Sequence, residues 1–188
     1  MARIAGGDRE AFAALYARRR LDVYRFALHM TASAASADDV TQEVFVAVIA
    51  AAARYVPGRS GVVPWLLGIA RNHVRRGARW GRRSVPLSDS PEARRASVDR
   101  DPLADLANRR ALVALRHALR RLPLRYREMV VLCDLEEVSY ADAAAIAGCA
   151  IGTVRSRLHR GRAMLAARLR LGVAREDPPL TTAIGTVL

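Results

Sequence analysis

Four polar residues near the C-terminal end, Arg155, Ser156, His159 and Arg160, are spaced so that one side of a single helix can present them. At about 100° per residue from Val154, the residues Leu158, Gly161 and Leu165 fall within about 40° of it and form an apolar stripe. Opposite that stripe lie Ser156, His159 and the small Ala163, flanked by Arg155 and Arg160. This is recognition chemistry rather than bond-making chemistry. An Arg fork matches the acceptor pair of guanine, a Ser hydroxyl bonds either partner, and a small residue lets the helix sink into a major groove. Each well-placed Arg on guanine is worth about 1–3 kcal/mol of discrimination. Arg157 and Arg162 lie nearer the edges of this face, where phosphates are met.

A second set is purely basic. Six arginines stand between Arg71 and Arg83 (71, 75, 76, 79, 82 and 83), interleaved with Asn72, His73 and Trp80 and with no acid among them. Arginines mixed with an amide and an aromatic fit a nucleic-acid track, including one for single strands with splayed bases. Trp65 and Ile69, earlier in the same helix, point to the core by spacing, so Trp65 reads as packing rather than as a stacking platform.

A third set has the opposite sign. Between Arg25 and Arg54 there is neither Arg nor Lys, and the helix expected from Asp38 to Ala53 buries Val40, Val44, Phe45, Val48 and Ile49. Its other face presents Asp39, Gln42, Glu43 and Val46, with Asp38 at its start. In a basic chain such a face repels nucleic acid and suits docking to a protein.

Catalysis has no visible machinery. No nucleophile has a base, metal set or phosphate loop beside it, which argues against a recombinase or any other enzyme. Cys133 and Cys149 sit in apolar surroundings without a CxxC or a His/Cys cluster, so they read as small buried hydrophobes of a reducing compartment. Neither a metal nor a cofactor is expected.

The elements that must position these sets are helices. The 188 residues are 52% hydrophobic, rich in Ala, Leu, Val and Arg, and poor in aromatics, a mix that favours helix over sheet. Thirty-one basic residues against eighteen acidic ones give +13, and all the basic ones are Arg. That excess points to a polyanionic partner, and Arg in particular suits phosphate and guanine.

Asp8 is an N-cap for a helix carrying Phe12, Leu15, Tyr16, Leu21, Tyr24 and Leu28 toward a core, and Thr31–Ala37 reads as a loop. Gly58, Ser60 and Gly61 end the acidic helix, and Pro64 opens the basic one, which continues to about Trp80. From Ser84 to Pro102 large apolar residues almost vanish, the mark of a flexible linker.

A second block follows: a helix with Leu106, Leu112, Leu115 and Leu119 ending at Leu122-Pro123, one from Pro123 to Leu132, one capped by Ser139 to Ala147, and a basic one from Gly152 to about Leu171. Small alanines before Gly148, a glycine free to turn left-handed, and Cys149 as an apolar plug beneath the turn give the last two helices helix-turn-helix form. The reading is therefore all-α: two small helical domains, 1–83 and 103–172, joined by a linker at 84–102 and followed by a disordered tail at 173–188.

Together these residues resemble the extracytoplasmic-function group of the sigma-70 family of RNA polymerase sigma factors. Gly7-Asp8-Arg9-Glu10-Ala11-Phe12 to Tyr16 resembles the family's opening helix, and Ala37-Asp38-Asp39-Val40-Thr41-Gln42-Glu43-Val44-Phe45 resembles the region-2 motif that grips the polymerase clamp. Pro64-Trp65-Leu66-Leu67-Gly68-Ile69-Ala70-Arg71-Asn72 resembles the helix that recognises the −10 element. Leu122-Pro123 with Tyr126-Arg127-Glu128, then Ser139-Tyr140 through Arg162, resembles region 4, which binds the −35 element and the polymerase flap.

The resemblance implies that Asp38, Asp39, Gln42 and Glu43 contact core polymerase. It implies that Arg71, Asn72, Arg75, Arg76 and Arg79 lie along the −10 DNA, and that Thr153, Arg155, Ser156, His159, Arg160 and Arg162 serve the −35 groove. Three departures stand out, one of them Ala50 to Ala53 in place of a bulkier stretch. Val62-Val63 replaces the aromatic often found before the Trp helix, and Ala150 replaces the usual Ser/Thr cap of the recognition helix, which weakens that end by about 0.5–2 kcal/mol.

The implied function is promoter-specific initiation without catalysis, with core RNA polymerase and promoter DNA as partners and an anti-sigma factor as regulator. The alternative is a stand-alone helix-turn-helix regulator dimerising on a palindrome, which would give tight symmetric footprints in isolation. Met1–Gly7 has no apolar signal core, and the apolar run Val44–Ala53 is half the length a bilayer requires, so a cytoplasmic protein without membrane contact of its own is expected.

Overall fold

A computed structural model describes residues 1–58, 60–80 and 102–176; the side chains of 78–80, 102–110 and 171–176 fall outside it. The described residues form eight α-helices and no strand. These are α1 (Ala2–Ala5), α2 (Arg9–Thr31), α3 (Ala34–Ala51), α4 (Val62–Trp80), α5 (Pro102–Arg120), α6 (Leu124–Val130), α7 (Tyr140–Ala147) and α8 (Ile151–Glu176). The all-α expectation holds. The expected linker lies almost wholly outside the described residues, as does the tail beyond Glu176.

Local signals set most helix ends. The Asp8 carboxylate accepts from the Ala11 N–H at 2.9 Å, and Arg3 Nε donates to the other oxygen at 2.6 Å. Those two bonds hold the Asp8 carboxyl below its ordinary value, the backbone bond to Ala11 first. Ser139 Oγ accepts from the Asp142 N–H at 3.0 Å and opens α7. Gly148 ends it in the left-handed conformation at φ +63°, as the turn requires.

Thr31–Ala37 is not a loop. Ala32 takes φ +55° and closes α2, and Ser33 caps α3 at once, so the break is two residues long. The end of α6 differs as well: instead of continuing α-helical to Leu132, the chain widens into a π-type turn over Val131–Leu135.

α2, α3 and α4 pack around Val23, Phe26, Met30, Val44, Val48, Leu66 and Leu67, all essentially without solvent exposure apart from their margins. Phe12 and Tyr16 meet Phe45 edge-on, at 6.3 and 4.9 Å between centroids. Trp65 meets Tyr55 in the same way at 5.4 Å, which makes it a packing residue.

Four residues of the expected apolar stripes are exposed instead: Tyr16 at 39%, Leu21 at 57%, Ile49 at 59% and Leu112 at 46%. In the second block α6 and α8 pack on Leu119, Leu122, Met129, Leu132, Val154 and Leu158. Cys133 and Cys149 are free and half-buried at this core's margin rather than fully enclosed. Burial, with Asp134 beside it, pushes the Cys133 thiol up to about 11.

Candidate nucleic-acid interface and protein-docking face

The polar face of α8 lies where its spacing placed it. Val154 and Leu158 are buried, and Arg155, Ser156, His159, Arg160 and Ala163 are exposed. Gly161 belongs to the buried side because α8 passes very close to α6. A Cβ at 161 would stand 2.8 Å from Val130 Cγ2 and 3.1 Å from the Tyr126 carbonyl oxygen. Ser156 Oγ donates to the Thr153 carbonyl at 3.1 Å, so Thr153, half-buried, supports the first turn of the face.

Arg160 and Arg125 stand beside Tyr126 and hold its hydroxyl below the ordinary value, Arg160 contributing more. Arg125 also lies over the Tyr126 ring at 4.8 Å. Arg162, at the edge of the face, is already engaged: its Nε and Nη2 meet Asp134 at 3.0 and 2.5 Å. Asp134 was not foreseen, since its only sequence signal is a carboxylate 28 positions away.

The acidic face of α3 is equally open. Asp38, Asp39, Gln42 and Glu43 are exposed, Val46 is 68% exposed, and Ile49 joins them rather than the core. The face is therefore more apolar than the sequence pattern indicated, which suits a protein partner better than solvent alone. Glu43 also reaches His73 Nδ1 on α4, linking the acidic and basic faces.

The basic track on α4 divides in two. Asn72 and Arg76 face solvent, and Arg76 Nη2 lies 3.2 Å from His73 Nε2. Arg71 is 9% exposed and Arg75 is half-buried, because both turn toward Glu128 of α6, which is fully buried. Arg75 Nη1 donates to Glu128 Oε1 at 3.0 Å and Oε2 at 3.3 Å, and Arg71 Nη2 reaches Oε2 at 3.4 Å. Arg71 also donates to the Ile146 and Ala147 carbonyls at the end of α7, at 3.1 and 3.3 Å. The Arg79 side chain lies outside the described residues, as do Arg82 and Arg83.

Among the described residues no group of His, Cys, Asp and Glu could hold a metal ion, and no helix is long and apolar enough to cross a membrane. What the arrangement offers is one exposed basic face on α8 that can hold nucleic acid, a basic track on α4 of which Asn72 and Arg76 are exposed, and one acidic, apolar face that can hold protein.

Comparisons with known proteins identify the family. Residues 15–84 match the Sigma-70 region 2 family and residues 112–165 match Sigma-70, region 4. The chain is 36% identical over 154 residues to the ECF RNA polymerase sigma factor EcfG of Rhodopseudomonas palustris, covering 82% of each protein. It is also 36% identical over 172 residues to ECF RNA polymerase sigma factor SigC of Mycobacterium tuberculosis, covering 87% of this chain and 85% of SigC.

Among solved structures, CnrH in complex with the cytosolic domain of CnrY superposes with a TM-score of 0.68 at 29% identity, over 90% of this chain and 94% of that one. The sigma factor RpoE of Bartonella quintana, in complex with the anti-sigma factor NepR, gives 0.67 at 26% identity, over 86% and 98%. The chain belongs to the sigma-70 family of RNA polymerase sigma factors, non-enzymatic factors of transcription initiation, within its extracytoplasmic-function group.

Proposed function

We propose that this chain directs core RNA polymerase to promoters through three separate faces. Asp38, Asp39, Gln42 and Glu43 of α3, with the exposed Val46 and Ile49 beside them, dock on the polymerase. Arg71, Asn72, Arg75, Arg76 and Arg79 of α4 run along the −10 element. Thr153, Arg155, Ser156, His159, Arg160 and Arg162 of α8 serve the −35 element, the central residues on bases and Arg162 on phosphate.

The observation that carries this reading is the separation of charge between helices. In a chain of +13, one helix face is acidic and apolar while two others are basic. The two units, 1–83 and 103–172, hold different parts of a promoter at a distance that the intervening segment 84–102 permits. An anti-sigma factor that covers these faces is the expected regulator; the similar RpoE is bound to the anti-sigma factor NepR. The site of action is the cytoplasm, where polymerase and promoters are.

The test is run-off transcription on genomic DNA with purified core polymerase, with transcript ends sequenced. Discrete start sites are expected only when core and this chain are both present. Failure of the chain to retain core polymerase in a pull-down would refute the reading.

A further inference from the structure

The imidazole of His73 stands between the acidic face of α3 and the basic track of α4 and bonds to both. Through Nδ1 it meets Oε2 of Glu43, 30 positions away on α3, and its Nε2 lies 3.2 Å from Arg76 Nη2 on its own helix. The ring is largely shielded, with 13% of the side chain exposed, whereas Glu43 is 61% exposed and Arg76 faces solvent. One covered ring thus carries two open charges.

The two partners decide where the ring's proton sits. A carboxylate only accepts and a guanidinium only donates, so Nδ1 carries the proton toward Glu43 and Nε2 turns its lone pair to Arg76. Arg76 therefore favours the tautomer that holds Glu43, and Glu43 favours the tautomer that holds Arg76. Neither end is used up. Oε2 of Glu43 is on the ring and leaves Oε1 for a partner's cation; Nη2 of Arg76 is on the ring and leaves Nη1 and Nε for a phosphate.

We propose that His73 is a positioning residue shared by two functions, holding Glu43 in place for the polymerase and Arg76 in place for the −10 strand through one ring. The proposal rests on the reading of α3 as the docking helix and α4 as the −10 helix. Long side chains lose rotamer freedom when a partner captures them, and a side chain already held loses less. Because the same tautomer serves both ends, a side chain removed at one end loosens the other. Glu43 thereby bears on DNA that it does not touch, and Arg76 on a polymerase contact that it does not make.

Affinity cycles on the full chain test this, with purified core polymerase and a single-stranded oligonucleotide spanning the −10 region of a promoter mapped by run-off. Arg76→Ala is expected to weaken core binding by about threefold. In a His73→Ala background the same substitution should cause no further loss. At core concentrations that saturate each variant, Glu43→Ala is expected to weaken capture of the oligonucleotide by about threefold. Removing an acid near a polyanion does the reverse when charge alone acts, so the sign separates positioning from bulk electrostatics. His73→Gln, whose amide both donates and accepts, should keep more of both affinities than His73→Ala.

Four results would overturn the role of His73 and leave the sigma-factor reading standing. They are undiminished core binding by Arg76→Ala, the same loss with and without His73, unchanged or stronger capture by Glu43→Ala, and no rescue by His73→Gln. Core binding that survives Glu43→Ala and Asp39→Arg alike overturns the docking reading, and the proposal falls with it.

Discussion

Arg162 and Asp134 form a two-pronged ion pair at the edge of the recognition helix, Nε to Oδ2 at 3.0 Å and Nη2 to Oδ1 at 2.5 Å. The pair raises the arginine's affinity for its proton, chiefly through the direct bonds to Asp134. It also saturates the fork of donors that a phosphate would use. Both partners are well exposed, so the pair contributes little to folding, below about 1 kcal/mol.

Asp134→Ala should therefore leave thermal stability nearly unchanged. It should strengthen DNA binding by freeing one cation, steepening the plot of log affinity against log salt by up to about 0.9. Arg162→Ala should make the same plot shallower. Fluorescence anisotropy on a −35 duplex across a salt series measures both slopes, and an unchanged slope in Asp134→Ala would show that Arg162 stays off the phosphates.

Two glycines in helices should respond oppositely to alanine. Gly161 has no room: the Tyr126 carbonyl 3.1 Å from a new Cβ is backbone and cannot rotate away, and Val130 Cγ2 at 2.8 Å is itself buried. The overpacking cost of about 1–3 kcal/mol exceeds the gain of about 0.8–1 kcal/mol in helix propensity. Gly161→Ala is expected to destabilise the chain by about 1 kcal/mol. A Cβ at Gly77 meets nothing within 4 Å, so Gly77→Ala keeps the propensity gain and stabilises by about 0.8–1 kcal/mol. Thermal or urea unfolding of the two variants decides; the same sign for both would contradict the close α6–α8 approach.

What could be read from the sequence alone was whatever is encoded within one turn of a helix. Asp8, Ser139 and Gly148 are such signals, and so is the division of α8 into Val154–Leu158 and Ser156–His159 faces. The acidic and basic helices were legible for the same reason, because charge along one helix needs no knowledge of its neighbours.

Ile49, Leu21 and Leu112 were not legible as surface residues. Helical period puts them near an apolar stripe, but only the packing of adjacent helices decides where the cover ends. Partners across long separations were also invisible: Glu128 with Arg71 and Arg75, Asp134 with Arg162, Glu136 with Arg25. A lone carboxylate has no local pattern that names its cation. The two-residue break at Ala32–Ser33 was missed because it needs a non-glycine in the left-handed region, which composition argues against.

Cys133 should be a slow thiol. Burial raises its pKa from 9.0 to about 11, with the Asp134 charge adding to the shift. At pH 8 only about one molecule in a thousand carries the thiolate, the form that reacts. A raised value also means that the folded state favours the protonated thiol. This contribution to stability is complete below pH 9 and is lost as pH rises toward 11. Labelling of the native Cys149→Ser chain by a disulfide reagent should be slow at neutral pH, should accelerate with pH up to about 11, and should become fast in denaturant. Rapid native labelling at neutral pH would show that the site opens freely.

The proposed polymerase-docking face admits a charge test that folding does not confound. Asp39 and Val46 are exposed on α3 without a described partner, whereas Glu43 reaches His73 and so also bears on how α3 sits against α4. Asp39→Arg should weaken retention of core polymerase by tenfold or more, about 1.4 kcal/mol, by placing a cation where the proposed contact uses an anion. Its melting temperature should stay near that of the unsubstituted chain, because surface substitutions away from special features change stability by about 0.5 kcal/mol or less. Val46→Ser should act in the same direction through the apolar part of the face. Glu43→Arg should lower both core retention and stability, since it breaks the link to α4 as well. Pull-down of core polymerase and thermal melts on the same preparations separate the two effects. If Asp39→Arg and Val46→Ser both retain core polymerase fully, the partner of this acidic, apolar surface is something other than the polymerase.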